Sequence, residues 1–112
     1  MNGYLFLFRG GEPGASPEEN QKIMQKWVAW MDQLRAKGRF VGGEPLERAG
    51  KVLKGRQHQV TDGPYTESKD LVGGYLSVTA ETLDEATELA RGCPILERDG
   101  VVEVRPIMKM TM

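Results

Sequence analysis

The run Tyr4-Leu5-Phe6-Leu7-Phe8 constrains the fold of this chain more than any other segment. Alternate residues of a strand point to opposite faces, and here both parities are apolar. Both faces of the strand must therefore be covered. The run is too short for a signal-peptide core or a membrane span, and no basic region precedes it. It reads as the first strand of a sheet in a cytoplasmic protein.

Gly and Pro between Arg9 and Ala15 make a loop. Ser16-Pro17-Glu18-Glu19 then opens a helix, with Ser16 as cap, Pro17 in the first helical position and Glu19 completing a capping box. Ile23, Trp27, Trp30, Met31 and Leu34 share one face, with Met24 at its edge, and Gly38 ends the helix. Phe40-Val41 opens a short second strand that closes near Pro45. Val52 to Val60 reads as a third strand carrying Lys54, Arg56 and His58 on one parity. Val72 to Thr79 is the fourth, where Gly73-Gly74 permits close backbone approach. Thr82-Leu83-Asp84-Glu85 is a second capping box, and Leu83, Ala86, Leu89 and Ala90 form the buried face of a second helix ended by Gly92. Val101 to Ile107 is the last strand.

The resulting order, β-α-β-β-β-α-β, predicts one α+β domain over residues 1–112. Two β-α-β halves give a ferredoxin-like sandwich, an antiparallel sheet with two helices on one face. One parity of the first strand meets the helices. The other is left as an apolar patch, and a homodimer joined through its sheet faces covers it. The chain has 15 basic and 16 acidic residues, a formal charge of −1, which excludes general attraction to nucleic acid or an anionic membrane. Cys93 is the only cysteine, so no intrachain disulfide forms; its place before Pro94 at a helix end suits a buried structural thiol. Phosphate-loop patterns and His/Cys clusters with metal spacing are lacking, so no cofactor and no metal is expected.

Chemistry concentrates in Asp62-Gly63-Pro64-Tyr65-Thr66-Glu67-Ser68-Lys69-Asp70, which runs into Leu71-Val72-Gly73-Gly74-Tyr75. Asp62-Gly63-Pro64 makes a turn. Tyr65 can close one wall of a pocket or fill a gap under the loop. Glu67 and Lys69 share a face if the segment is extended. His58 is the only histidine, four residues before Asp62, and the pair can act as a general base if Asp62 orients the ring. Arg9 and Arg105, on the first and last strands, can hold an anionic ligand or pair with Glu67 or Asp62.

The nine-residue segment resembles the signature of the DGPF branch of the YCII-related proteins, roughly D-G-P-F-x-E-x-K-E before a G-G-[FY] strand. Tyr65 stands for the phenylalanine and Asp70 for the last glutamate. The resemblance extends from the first strand to Val104-Arg105-Pro106-Ile107. It implies a dimeric α+β barrel and, for DGPF-type proteins, a partner linked to an alternative sigma factor. Some YCII-related proteins carry a catalytic histidine on the first helix; this first helix has none, so that role is not carried over. The expected function is small-molecule binding under the Asp62–Asp70 loop, with a cofactor-independent lyase, isomerase or hydrolase step. Asp62 and His58 would handle protons, while Tyr65, Glu67, Lys69, Arg9 and Arg105 would hold the ligand. A non-catalytic regulatory or sensor protein is the alternative.

Overall fold

Strand β1 (Asn2–Gly10) lies inside a four-stranded antiparallel sheet of order β2-β5-β1-β6, built with β2 (Phe40–Pro45), β5 (Val72–Ala80) and β6 (Gly100–Pro106). The computed structural model describes residues 1–64 and 70–110. β1 takes an inner position because both its parities are apolar, while β6 takes an edge, where Pro106 deprives no neighbour of a hydrogen bond. Two helices, α1 (Pro17–Ala36) and α2 (Leu83–Ala90), cover one face, and a 3-10 turn, Pro94–Arg98, leads into β6. This is the α+β, ferredoxin-like arrangement expected from the order of elements.

The caps form as the sequence requires. Ser16 Oγ accepts from the Glu19 amide at 3.1 Å, and Thr82 Oγ1 accepts from the Glu85 amide at 3.1 Å. Neither glutamate returns to its cap amide, however: Glu19 accepts from the Ala15 amide at 3.0 Å, and Glu85 pairs with Arg39 at 2.9 Å.

The core lies between the helices and one parity of the central strands. Phe6, Val78 and Ala80 are fully buried, joined by Tyr4, Phe8 and Leu76 from the sheet and by Trp30, Leu34, Ala86, Ala90 and Cys93 from the helical side. Phe6 stacks on Trp30 at 6.2 Å between ring centroids, and Phe8 meets Trp27 edge-on at 5.0 Å. The Trp30 indole donates to the Leu89 carbonyl at 3.1 Å, so its one polar atom is satisfied within the core. Leu83 departs from expectation: at the first turn of α2 it stays exposed, while Ala86, Leu89 and Ala90 carry the contact.

The second departure is larger. The segment Val52–Val60 is not one strand. It folds back on itself as β3 (Gly50–Lys54) and β4 (Gln59–Gly63), a two-stranded sheet separate from the main one. Gly55 at φ 75° and His58 at φ 52° make the reversal, and the His58 amide donates to the Gly55 carbonyl at 3.1 Å. The alternation Lys54, Arg56, His58 continues across Gly55, so periodicity alone hides a turn that Gly55 makes possible. Among the described residues, no helix is long and apolar enough to cross a membrane.

Candidate functional site

The ends of β1 and β2 and the start of β5 converge at one end of the sheet. Pro45 lies opposite Gly74, and the Leu46 amide donates to the Gly73 carbonyl at 2.9 Å. Two glycines set the floor there. A Cβ on Gly43 would fall 2.4 Å from the Tyr75 carbonyl oxygen, and one on Gly74 would fall 3.2 Å from that of Glu44. Close approach of β2 and β5 therefore requires glycine at position 43 and strongly favours it at 74. Gly73, by contrast, faces open space. The expectation for Gly73-Gly74 thus holds at its second member.

Over this floor stands the exposed edge of the α1 stripe. Met24, Trp27 and Met31 face Phe8, Gly43 and Gly74 across a cleft of about 300 Å³. Ile95, from the 3-10 turn, closes one side. By strand alternation Glu44 and Tyr75, which lie opposite each other, project to the other sheet face, so the cleft receives their main chain. A second cavity of about 380 Å³ adjoins the first, sharing Gly10 and Gly73, and is lined further by Gly11, Leu46, Arg48, Leu71 and Val72. The loop after β1 is fastened by Arg98, which donates to the Glu12 carbonyl at 2.5 Å and pairs with Glu19 at 3.3 Å.

Of the residues singled out in the sequence, Tyr65, Glu67 and Lys69 lie outside the described residues. His58 is exposed in the β3–β4 turn, and Asp62 sits on β4, where it pairs with Lys51 opposite it in the register. Four residues of extended chain set His58 and Asp62 on the order of 13 Å apart, and the structure does not join them. Neither lines either cavity.

Arg9 and Arg105 are brought together at Glu103. β1 and β6 are neighbours, and both guanidinium groups reach Glu103, Arg9 at 3.2 Å and Arg105 at 3.4 Å. Arg9 also donates to the Asp70 carbonyl at 2.8 Å. It clasps the far end of the signature segment to β6, and among the described residues its carboxylate partner is Glu103 rather than Asp62.

Two features escaped sequence reasoning. Met24, expected at the edge of the core stripe, is 60% exposed and lines the cleft, while Trp27 packs against the core as expected and lines the cleft as well. Arg48 follows a strand that the sequence marks only weakly, and nothing in its local pattern separates it from any loop arginine. Cys93 behaves as expected: burial pushes its thiol up to about 12, with a hydrogen bond to the Ile95 backbone acting weakly the other way. It is neutral at physiological pH and no nucleophile.

Comparison with known proteins adds a family. The model of the YCII-related domain matches residues 4–111. Among solved structures, the chain is similar to 5-chloro-2-hydroxyhydroquinone dehydrochlorinase (TftG) from Burkholderia phenoliruptrix AC1100, in complex with 2,5-dihydroxybenzoquinone. That alignment has 22% identity and a TM-score of 0.47, and covers 89% of this chain and 90% of the other. No curated protein matches the sequence.

Proposed function

This chain belongs to the YCII-related family, and from that premise we propose that it is a small-molecule-binding homodimer of the DGPF branch whose ligand occupies the cleft between α1 and the sheet. The observation that carries the reading is the cleft itself. Exposed Met24 and half-buried Trp27 and Met31 form an apolar wall above a floor stripped of side chains at Gly43 and Gly74. Apolar concavity of this size, with few polar groups, suits a small ligand.

The homodimer rests on the other sheet face. Leu5, Leu7 and Tyr75 lie there, with Val101 at 53% exposed, beside the Arg9, Glu103 and Arg105 cluster: Leu7 is opposite Tyr75 and Glu103, and Leu5 is opposite Arg105. A second copy placed on this face would remove them from water. Leu5→Glu together with Leu7→Glu should yield monomers by light scattering, because each partner would then bury two added carboxylates, one of them directly opposite Glu103. A dimer that survives both changes uses another surface.

Catalysis, in this reading, is a cofactor-independent lyase, isomerase or hydrolase step with protons handled by Asp62 and His58. One observation favours the second reading, a non-catalytic sensor with a transcription-linked partner: His58 and Asp62 stand on the β3–β4 hairpin and line neither cavity. The experiment is a thermal-shift screen of small aromatic and aliphatic compounds, followed by tryptophan emission. Genuine ligands should quench emission, Trp27→Phe should shrink the quench, and Met24→Glu should weaken binding about tenfold by placing a charge in the apolar wall. Ligands indifferent to Met24→Glu would move the site elsewhere. Ligands that bind the cleft and are recovered chemically unchanged would decide for the sensor.

A further inference from the structure

The two adjoining cavities differ in one respect that bears on the ligand's chemistry. Among the described residues, the cleft under α1 is walled by apolar side chains, whereas its neighbour carries Arg48. Among the described residues, Arg48 is the only cationic side chain lining either cavity. The two arginines that the sequence offers as anion holders are otherwise engaged, Arg9 with Glu103 and the Asp70 carbonyl, Arg105 with Glu103. Among the described residues Arg48 has no ion-pair partner, and its exposure leaves its donors in water. Gly10 and Gly73 line both cavities, so one elongated molecule can reach from the apolar wall to the guanidinium without crossing a side chain at either position.

We propose that Arg48 is the anchor for the anionic end of the ligand, and that the ligand class is a small amphiphilic acid: an apolar, flat body under Met24 and Trp27 with a carboxylate or sulfonate at Arg48. A planar guanidinium offers paired donors to such a group. The body supplies affinity by leaving water, and the charge fixes which end enters the cleft. This inference rests on the cleft being the binding site.

The test uses two fluorescent probes with the same body. 1-Anilinonaphthalene-8-sulfonate carries the anion; N-phenyl-1-naphthylamine does not. Both should bind the full-length protein and quench tryptophan emission, and Met24→Glu should weaken both. Arg48→Gln should weaken the sulfonate roughly three- to tenfold, the range for a charge-assisted contact at a partly solvated site, and leave the neutral probe unchanged. Arg48→Lys should restore part of the loss. Raising salt should weaken the sulfonate in the parent protein more than in Arg48→Gln. Equal binding of the sulfonate to parent and Arg48→Gln, with the neutral probe still sensitive to Met24→Glu, would overturn the Arg48 anchor and leave the cleft standing. Probes that bind without sensing Met24→Glu, or fail to bind, would overturn both.

Discussion

Two antiparallel strand pairs in this molecule place apolar residues directly opposite each other. In the body, Phe6 lies opposite Leu76; in the hairpin, Leu53 lies opposite Val60. The first pair is 0% and 3% exposed, the second 65% and 58%. The hydrogen-bonded ladder is of the same kind in both, and what differs is the cover. Trp30 and Leu34 of α1 close over the body pair, whereas among the described residues neither helix makes an extended contact with the hairpin. Cross-strand contact alone contributes a few tenths to about 1 kcal/mol, and an isolated two-stranded hairpin is marginal in water. The body is held by burial; the hairpin is held by its turn.

The sharpest way to break this comparison is to truncate one member of each pair. Phe6→Ala should cost about 3–5 kcal/mol, through lost transfer energy and a cavity that Trp30 and Val78 cannot fill. Leu53→Ala should cost about 0.5 kcal/mol or less, since exposed substitutions away from caps and networks have small effects. Paired denaturant melts measure both. Comparable losses would mean that the hairpin packs on something, a second copy included, and that its exposure here is not its state in solution.

Cys93 extends the contrast to titration. Burial raises its thiol from 9.0 in the unfolded chain to about 12 in the folded protein. Between these values the unfolded state loses the proton and the folded state keeps it. Its contribution is therefore fully present below pH 9 and is lost as pH rises towards 12, with a slope of up to about 1.4 kcal/mol per pH unit. Denaturant melts from pH 8.5 to 11 should show a steeper decline for the parent than for Cys93→Ala, whose unfolded chain has no thiol to ionise. The same burial predicts that native Cys93 resists alkylation until the protein is unfolded. Rapid labelling of the native protein would show that the Cys93–Pro94 corner opens locally.

The sheet and its helices were legible because their signals are redundant. Ser16, Pro17 and Glu19 mark one helix start, Thr82 and Glu85 the other, and the alternation of Tyr4, Phe6 and Phe8 points one parity at the core. The hairpin was not legible, since Lys54, Arg56 and His58 keep a period of two through a reversal. Only Gly55 announces the turn, and a single glycine in a strand reads equally as a bulge. The neighbourhood of the cleft could be inferred from Gly73-Gly74 and the signature segment before it. Its wall could not: Met24 and Trp27 follow the helical spacing of core residues, and which of them stays uncovered depends on how far α1 extends past the sheet. Arg9 shows the limit for charges. That it could pair with a carboxylate was evident, but its partner, Glu103, depends on β6 being the neighbour of β1, and strand order is not written in local pattern.

The smallest effect should come from the hairpin's own ion pair, and it bears directly on function. Lys51 and Asp62 face each other across β3 and β4 with side chains 66% and 87% exposed. An exposed pair gains little, because water screens the attraction and two long side chains lose freedom. Asp62→Asn should therefore leave the melting temperature within the scatter of repeated curves. Under the sensor reading it should leave ligand affinity in the cleft unchanged as well, since Asp62 lines neither cavity. Under the catalytic reading, the same substitution removes a proton acceptor, and turnover should fall at least a hundredfold while ligand binding persists. One silent substitution in the uncovered region thus separates a hairpin that only projects from one that closes over the site to do chemistry. A substantial fall in melting temperature would contradict the comparison at its root, because it would make an exposed pair in the hairpin carry stability that burial reserves for the body.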